Sequence, residues 1–253
     1  MTGCYAKRVL PIPHVFFPGG ANGLALEEET IAEALKGAGY VTGMVGKWHL
    51  GDQREFLPTR QGFDRWYGLP YSNDMGLAED GAKSNYGKPV GKGDDGQPPL
   101  PLMRNEKVIG RVLAKDQEKL VERYTAEAVS FIKENKERRF FLYLAHNAVH
   151  WPLYPAEKFR GKSKNGLFGD WVEEMDWSVG EVMEAIRGAG LGEKTLVIFV
   201  SDNGGTGYSV NRPFRGQKGS TWEGGVRVPA LVWWPGKIAG GSGSGVICGM
   251  FDV

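Results

Sequence analysis

Side chains that could do chemistry cluster in three short segments of the chain, at positions 46–51, 146–152 and 201–205. The residues concerned are, in chain order, Lys47, His49, His150, Asp202 and Asn203. Adjacent carboxylate and amide oxygens, as at Asp202 and Asn203, suit a hard cation such as Ca²⁺ or Mg²⁺. The cationic side chains of Arg215, Lys218 and Arg227 follow within one loop. The pattern therefore predicts a cation site accompanied by groups that bind an anion.

Each segment also has a simpler interpretation when it is taken alone. Asp-Asn-Gly-Gly is favoured in tight turns, whatever the function. A single histidine is more often structural, and a single lysine is usually solvated. The joint occurrence of these residues after successive apolar segments favours a functional site over three unrelated features.

The segments that must position these residues alternate between strand and helix patterns. Apolar runs predict strands at 40–45, 140–145, 196–200 and 230–234, and amphipathic patterns predict helices at 26–36, 118–136 and 168–189. We expect an α/β fold with a mostly parallel central sheet flanked by helices on both faces. The run Leu196–Val200 is expected to be a buried parallel strand. Because ligands bind at the carboxyl ends of such strands, the three polar clusters are predicted to share one edge.

Between the first two strands the chain carries a long segment without periodicity. Residues 72–116 are expected to form a long loop, with a small hairpin at 100–109 that turns at Asn105-Glu106. A structureless segment of this length in a compact domain is usually functional or flexible.

Composition excludes several classes of protein. A net charge of +1 gives no electrostatic basis for binding nucleic acid or an anionic membrane surface. The apolar runs are far shorter than the roughly 20 residues that span a bilayer. The two cysteines, Cys4 and Cys248, form neither a disulfide framework nor a metal-binding pattern. The apolar fraction of 41% is ordinary for a globular protein.

Four motifs, in order along the chain, resemble those of the sulfatase family of the alkaline phosphatase superfamily. They are GYVTGMVGKWHLG at 39–51, AHNAVHWP at 145–152, SDNGG at 201–205 and RGQKGSTWEGGVRVP at 215–229. The resemblance implies an alkaline phosphatase-like α/β fold, with residues 1–253 as part of a sulfatase catalytic domain.

The resemblance also implies a role for each matching residue. Asp202 and Asn203 would be ligands of a Ca²⁺ ion. Lys47 and Lys218 would hold sulfate oxygens, and His150 would assist departure of the leaving group. His49 would assist breakdown of a covalent intermediate, and Ser72 would contact the sulfate. The geometric expectation is that Lys47, His150, Asp202 and Lys218 meet around one oxyanion-sized hollow.

The family's cysteine nucleophile, which is converted to formylglycine in a Cys-x-Pro/Ser-x-Arg motif, has no match in this sequence. Cys4 is followed by Tyr5-Ala6-Lys7-Arg8 and is not assigned that role. The family's paired metal-binding aspartates and its C-terminal subdomain are also unmatched. The sequence is therefore interpreted as an internal fragment, incomplete at both ends. Because Ca²⁺ takes roughly 6–8 oxygen ligands, we expect weak metal binding and no turnover by these residues alone.

The expected activity is hydrolysis of sulfate esters, either small molecules or sulfated carbohydrates. Two alternatives remain open at this stage: a phosphoester or phosphonate hydrolase of the same superfamily, and a non-catalytic module that binds sulfate esters. Export to the periplasm, the exterior or a lysosome is expected only by analogy with the family. The sequence does not specify the substrate or the oligomeric state.

Overall fold

The computed structural model describes residues 1–10, 12, 14–85 and 97–252, and the chain divides into two compact units. The larger unit comprises Met1–Ala185 and Ile247–Val253, and the smaller unit comprises Ile186–Val246. The boundary falls within one long helix.

A five-stranded sheet forms the centre of the larger unit. Its strands, in chain order, are β1 (Val41–Gly46), β2 (Arg65–Gly68), β3 (Pro101–Arg104), β4 (Lys107–Arg111) and β5 (Phe140–Ala145). The spatial order is β4-β3-β2-β1-β5. Strand β1 is parallel to both β2 and β5, whereas β2–β3 and β3–β4 are antiparallel. The sheet is therefore mixed: its parallel part is β5-β1-β2, and a hairpin extends one end.

Helices cover both faces of this sheet, as the sequence predicts. The helices that begin in this unit are α1 (Ala6–Val9), α2 (Ile31–Gly37), α3 (Ala114–Gln117), α4 (Leu120–Glu134) and α5 (Gly166–Gly188). Successive residues of a strand point to opposite faces of the sheet. On one face, Val45 packs with Leu120 and Tyr124 of α4. On the other face, Met44 packs with Ala32 of α2. A third apolar cluster joins α5 to α4 through Trp171 and Val121.

Helix α2 begins later than the sequence pattern predicts. Thr30 is its N-cap, and its side chain accepts a hydrogen bond from the backbone N–H of Glu33 at 3.1 Å. The Glu33 carboxylate in turn accepts from the Thr30 N–H at 2.8 Å. This capping box fixes the helix start, so the acidic run 27–29 precedes the helix instead of forming its first turn.

The smaller unit contains β6 (Val197–Val200), α6 (Glu223–Val226) and β7 (Ala230–Trp233). The expectation that β6 is a buried parallel strand is wrong, because β6 pairs antiparallel with β7 and Ile198 is 38% exposed. An apolar run of this length predicts a strand but carries no information about its partner. Glu223 and Arg227, four positions apart, form an ion pair in which Nη1 of Arg227 lies 3.2 Å from Oε2 of Glu223.

The segment 72–116 contains the β3–β4 hairpin, which turns at Asn105-Glu106. Residues 86–96 of this expected loop lie outside the described residues. Across the part of the chain that the structure describes, no helix combines the length and the apolar character needed to cross a membrane.

Candidate active site

The loops that follow β1, β2 and β5 lie side by side at one edge of the sheet. Backbone hydrogen bonds join them: Lys47 N–H donates to the Ala145 carbonyl at 2.8 Å, and Trp48 N–H donates to the Leu69 carbonyl at 2.9 Å. His49 N–H donates to the carbonyl of Pro70 at 2.8 Å. The parallel register of β1 and β5, in which Gly46 is opposite Ala145, aligns these strand ends.

Two glycines permit this close approach of the strand ends. Gly46 has a φ of 110°, and a Cβ at this position would overlap the carbonyl of Ala145. A Cβ at Gly68, the last residue of β2, would overlap the backbone of Gly46. Side chains at either position would push the three strands apart.

Ser72 and His150 meet at this edge, although 78 positions separate them in the sequence. The Ser72 hydroxyl lies 3.2 Å from Nδ1 of His150, and the same nitrogen lies 2.6 Å from the backbone carbonyl oxygen of Trp151. Because a carbonyl oxygen only accepts, Nδ1 carries a proton. The Nε2 atom of His150 is therefore the position at which this imidazole gains or loses a proton.

His49 is largely buried beside the charge of Lys47. Its backbone has a φ of 63°, in the left-handed region, and its Nε2 donates to the Phe16 carbonyl at 3.1 Å. Burial, together with the charge of Lys47, lowers the pKa of His49 to about 4, with smaller opposing effects of the Phe16 hydrogen bond and Asp74. The imidazole is therefore neutral at pH 7, with Nδ1 as its acceptor.

Buried polar side chains beneath the edge hold the loops of Ser72 and His150 in place. The amide of Asn73 donates to the Gln117 side chain at 2.9 Å and to the Pro152 carbonyl at 3.1 Å. The Tyr124 hydroxyl donates to the Asn147 side chain at 2.9 Å. Sequence reasoning missed these supports. Asn73 is adjacent to Ser72 in the sequence and could have been suspected, but Gln117 and Tyr124 give no local signal.

In the smaller unit the residues of the predicted cation and sulfate groups share one loop system. The loop after β6 carries Asp202 and Asn203, and the backbone N–H of Lys218 donates to the carbonyl of Gly205 in that loop at 3.0 Å. Gly204 N–H also donates to the Gly225 carbonyl at 3.0 Å. The structure thus brings Asp202, Asn203 and the backbone of Lys218 into one neighbourhood.

A family model described as Sulfatase matches residues 1–246 of the chain. The chain belongs to the sulfatase family. Human arylsulfatase A is 42% identical over 251 residues, which are 95% of this chain and 49% of that protein. Mouse N-acetylgalactosamine-6-sulfatase is 36% identical over 247 residues, covering 92% of this chain and 45% of that protein. The chain spans about half the length of these curated relatives.

Solved structures share the fold. The PsFucS1 sulfatase from Pseudoalteromonas sp. superposes with a TM-score of 0.80 at 30% identity, covering 94% of this chain and 51% of that one. Ps i-CgsB, solved in complex with k-i-k-neocarrahexaose, gives a TM-score of 0.75 at 31% identity and covers 93% and 54% of the two chains. The expected alkaline phosphatase-like α/β architecture is confirmed.

The donor set of this sulfatase chain fits a divalent cation in part. Among the residues that the structure describes, no group of three or more His, Cys, Asp or Glu side chains is arranged to hold a metal ion. Asp202 is exposed and offers carboxylate oxygens, and Asn203 donates through Nδ2 to the Gly204 carbonyl, which leaves its Oδ1 as a ligand atom. Both are hard oxygen donors of the kind that Ca²⁺ takes.

Each predicted site residue therefore has a place in one of the two units. Ser72 and His150 are in contact in the larger unit, and Lys47 and His49 lie at the same sheet edge. Asp202, Asn203 and Lys218 lie in the smaller unit. The expectation that both groups meet around one hollow stays a prediction.

Proposed function

We propose that the protein containing this chain is a sulfuric ester hydrolase that acts on aryl sulfates or sulfated carbohydrates. The observation that carries the proposal is the sheet edge after β1, β2 and β5. There the Ser72 hydroxyl contacts the His150 imidazole, and the neutral imidazole of His49 and the side chain of Lys47 belong to the same edge, in a chain of the sulfatase family. In net terms, a sulfate ester and water yield an alcohol and sulfate.

The proposed roles follow from the chemistry of each group. The ammonium of Lys47 and the hydroxyl of Ser72 bind sulfate oxygens, which are negatively charged and accept hydrogen bonds. His150 gives a proton from Nε2 to the bridging oxygen as the bond between that oxygen and sulfur breaks. His49, neutral at pH 7, accepts a proton from a covalent intermediate as the intermediate breaks down.

In the smaller unit, Lys218 is assigned a further sulfate oxygen, and Asp202 and Asn203 are assigned to a divalent cation, which we propose is Ca²⁺. Such an ion, when bound, supplies positive charge that stabilises the oxygens of the transferring group. The substrate class is proposed from the names of the relatives, which include an arylsulfatase and sulfatases of carbohydrates. Export of the protein is likewise proposed only by analogy with the family.

The test is an assay of the full-length protein on paired 4-nitrophenyl sulfate and 4-nitrophenyl phosphate. We expect hydrolysis of the sulfate, with kcat/KM reduced about 100-fold or more in Lys47→Ala and in His150→Ala. The matched controls are Lys107→Ala, at an exposed position of β4, and His14→Ala, also exposed, both of which should keep full activity. Hydrolysis of the phosphate alone would favour the phosphoester hydrolase, and activity retained in His150→Ala would refute the assigned roles.

A further inference from the structure

Asp74 is an acidic residue at the sheet edge to which the proposed roles assign nothing. It follows Ser72 by two positions, and its Oδ1 is buried without a hydrogen-bond partner in the described part of the chain. The same oxygen lies 3.9 Å from Nδ1 of His150. A buried carboxylate oxygen without a partner is costly, so its retention next to an imidazole points to an electrostatic purpose.

The Trp151 carbonyl and the Ser72 hydroxyl, which both contact Nδ1 of His150, are uncharged. The Trp151 carbonyl oxygen lies 2.6 Å away and the Ser72 hydroxyl lies 3.2 Å away. They fix the tautomer and the ring orientation but contribute no net charge. At 3.9 Å, the Asp74 carboxylate is too distant for a hydrogen bond with Nδ1, yet it is close enough to favour a positive charge on the ring.

Asp74 is a negatively charged group close to Lys47, His49 and His150 at this sheet edge. Burial is the largest cause of the lowered pKa of His49, the charges of Lys47 and His150 also lower it, and the charge of Asp74 raises it. The ammonium of Lys83 donates to the backbone carbonyl of Asp74 at 2.6 Å. Asp52 also lines the small pocket beside His49, and its carboxylate accepts a hydrogen bond from the backbone N–H of Gly19 at 2.7 Å.

We propose that Asp74 is a positioning residue for His150, stabilising its imidazolium form so that Nε2 holds a proton for the leaving group at neutral pH. The inference rests on the proposed sulfate-ester hydrolysis. As the bond between sulfur and the bridging oxygen breaks, its electron pair stays with that oxygen, which takes the Nε2 proton. His150 is left as neutral imidazole, and the sulfuryl group passes in net terms to water oxygen. Solvent then reprotonates Nε2.

The direct test is the titration of histidine by NMR in the 253-residue chain, which contains only four histidines. In Asp74→Asn we expect the pKa of His150 to fall by about one unit, since an opposite charge at this distance favours the charged form. Asp74→Glu, which keeps the charge, should restore most of the difference. Asp176→Asn, at an exposed position of α5, is the matched control and should change nothing.

His146 reports whether each variant is folded. Burial lowers its pKa to about 4, so it stays neutral at pH 5.5 in the folded chain and titrates near 6.5 if the chain unfolds. Should Asp74→Asn unfold, Asp74→Ser, which also removes the charge, supplies the same readout in a second variant. An unchanged pKa of His150 in a folded Asp74→Asn or a folded Asp74→Ser overturns the inference.

A second measurement uses the full-length protein and substrates that differ in leaving group. In Asp74→Asn, kcat/KM should fall about tenfold for alkyl or sugar sulfates, whose leaving oxygens need a proton, and much less for 4-nitrophenyl sulfate. The basic limb of the pH–rate profile should move to lower pH. If no sulfate ester is cleaved by the wild type, the proposed function fails while the NMR result stands. If cleavage occurs with equal losses on both substrates, the role of Asp74 fails and the function stands.

Discussion

The pKa of Glu174 shows how burial affects a carboxyl group in this fold, and its effect on stability can be measured. It lies on α5, is fully buried, and accepts one hydrogen bond from the backbone N–H of Ala156 at 2.8 Å. Its second oxygen, like the indole nitrogen of Trp171 one turn earlier, has no hydrogen-bond partner among the described residues. Burial raises the pKa of Glu174 from 4.5 to about 7, against lowering effects of the Ala156 N–H and of Lys158.

The consequence for stability has a definite sign. In the folded state the carboxyl keeps its proton up to about pH 7, whereas in the unfolded chain it loses the proton near pH 4.5. The stabilisation associated with the raised pKa is complete below pH 4.5 and is lost as the pH rises through 7. Between pH 5 and pH 8, this one group should lower the free energy of unfolding by about 2.5 kcal/mol.

Glu174→Gln removes the titration but keeps an oxygen that can accept from Ala156 N–H. We expect urea unfolding to show that, when the pH is raised from 5 to 8, the free energy of unfolding of the variant increases by about 2.5 kcal/mol relative to that of the wild type. Comparing the two pH values cancels any pH-independent cost of the amide. Glu173→Gln, its exposed neighbour on the same helix, is the control and should show no such gain. An equal effect of Glu174→Gln at both pH values would refute the reasoning.

Three further outcomes follow from the geometry. Gly68→Ala should lower the free energy of unfolding by about 2 kcal/mol or more, because the added Cβ would overlap the backbone of β1. Gly110→Ala, which has open space around the added Cβ, should leave the free energy of unfolding nearly unchanged. Equal effects of the two substitutions in denaturant titrations would contradict this. Tyr124→Phe should lower the free energy of unfolding by about 1–2 kcal/mol, because the buried Asn147 side chain loses the hydroxyl that donates to it. Tyr208→Phe, at an exposed position, should leave the free energy of unfolding unchanged in the same assay. Calorimetry of the 253-residue chain should give a Kd for Ca²⁺ above about 100 µM, because few oxygen ligands are grouped in the described residues. Submicromolar binding would contradict this.

Several elements of the fold could be predicted from the sequence because their signals are local. The amphipathic pattern predicts a helix at 118–136, and α4 occupies Leu120–Glu134. The apolar run at 140–145 coincides with β5. The helix signal is a periodicity of 3.6 residues, which records the buried face directly, whereas the strand signal is a short continuous apolar run.

Other features depend on contacts between distant parts of the chain and were not predicted. Strand β2, with the sequence RWYG, is too short to show alternation and contains a charged residue. It nevertheless lies beside β1 and delivers the loop of Ser72 to the sheet edge. Pairing partners, as for β6, are likewise chosen by tertiary packing and not by the run itself.

The sequence by itself determined the family and the identity of the candidate groups: lysine, histidine, serine, aspartate and asparagine in motifs that occur in a fixed order. Only the tertiary structure decided that the hydroxyl of Ser72 faces the imidazole of His150, that His49 is neutral at pH 7, and that Asp74 stands next to His150. The physical reason is that residue type fixes what a group can do, whereas protonation and contact depend on burial and on charges brought in from far along the chain.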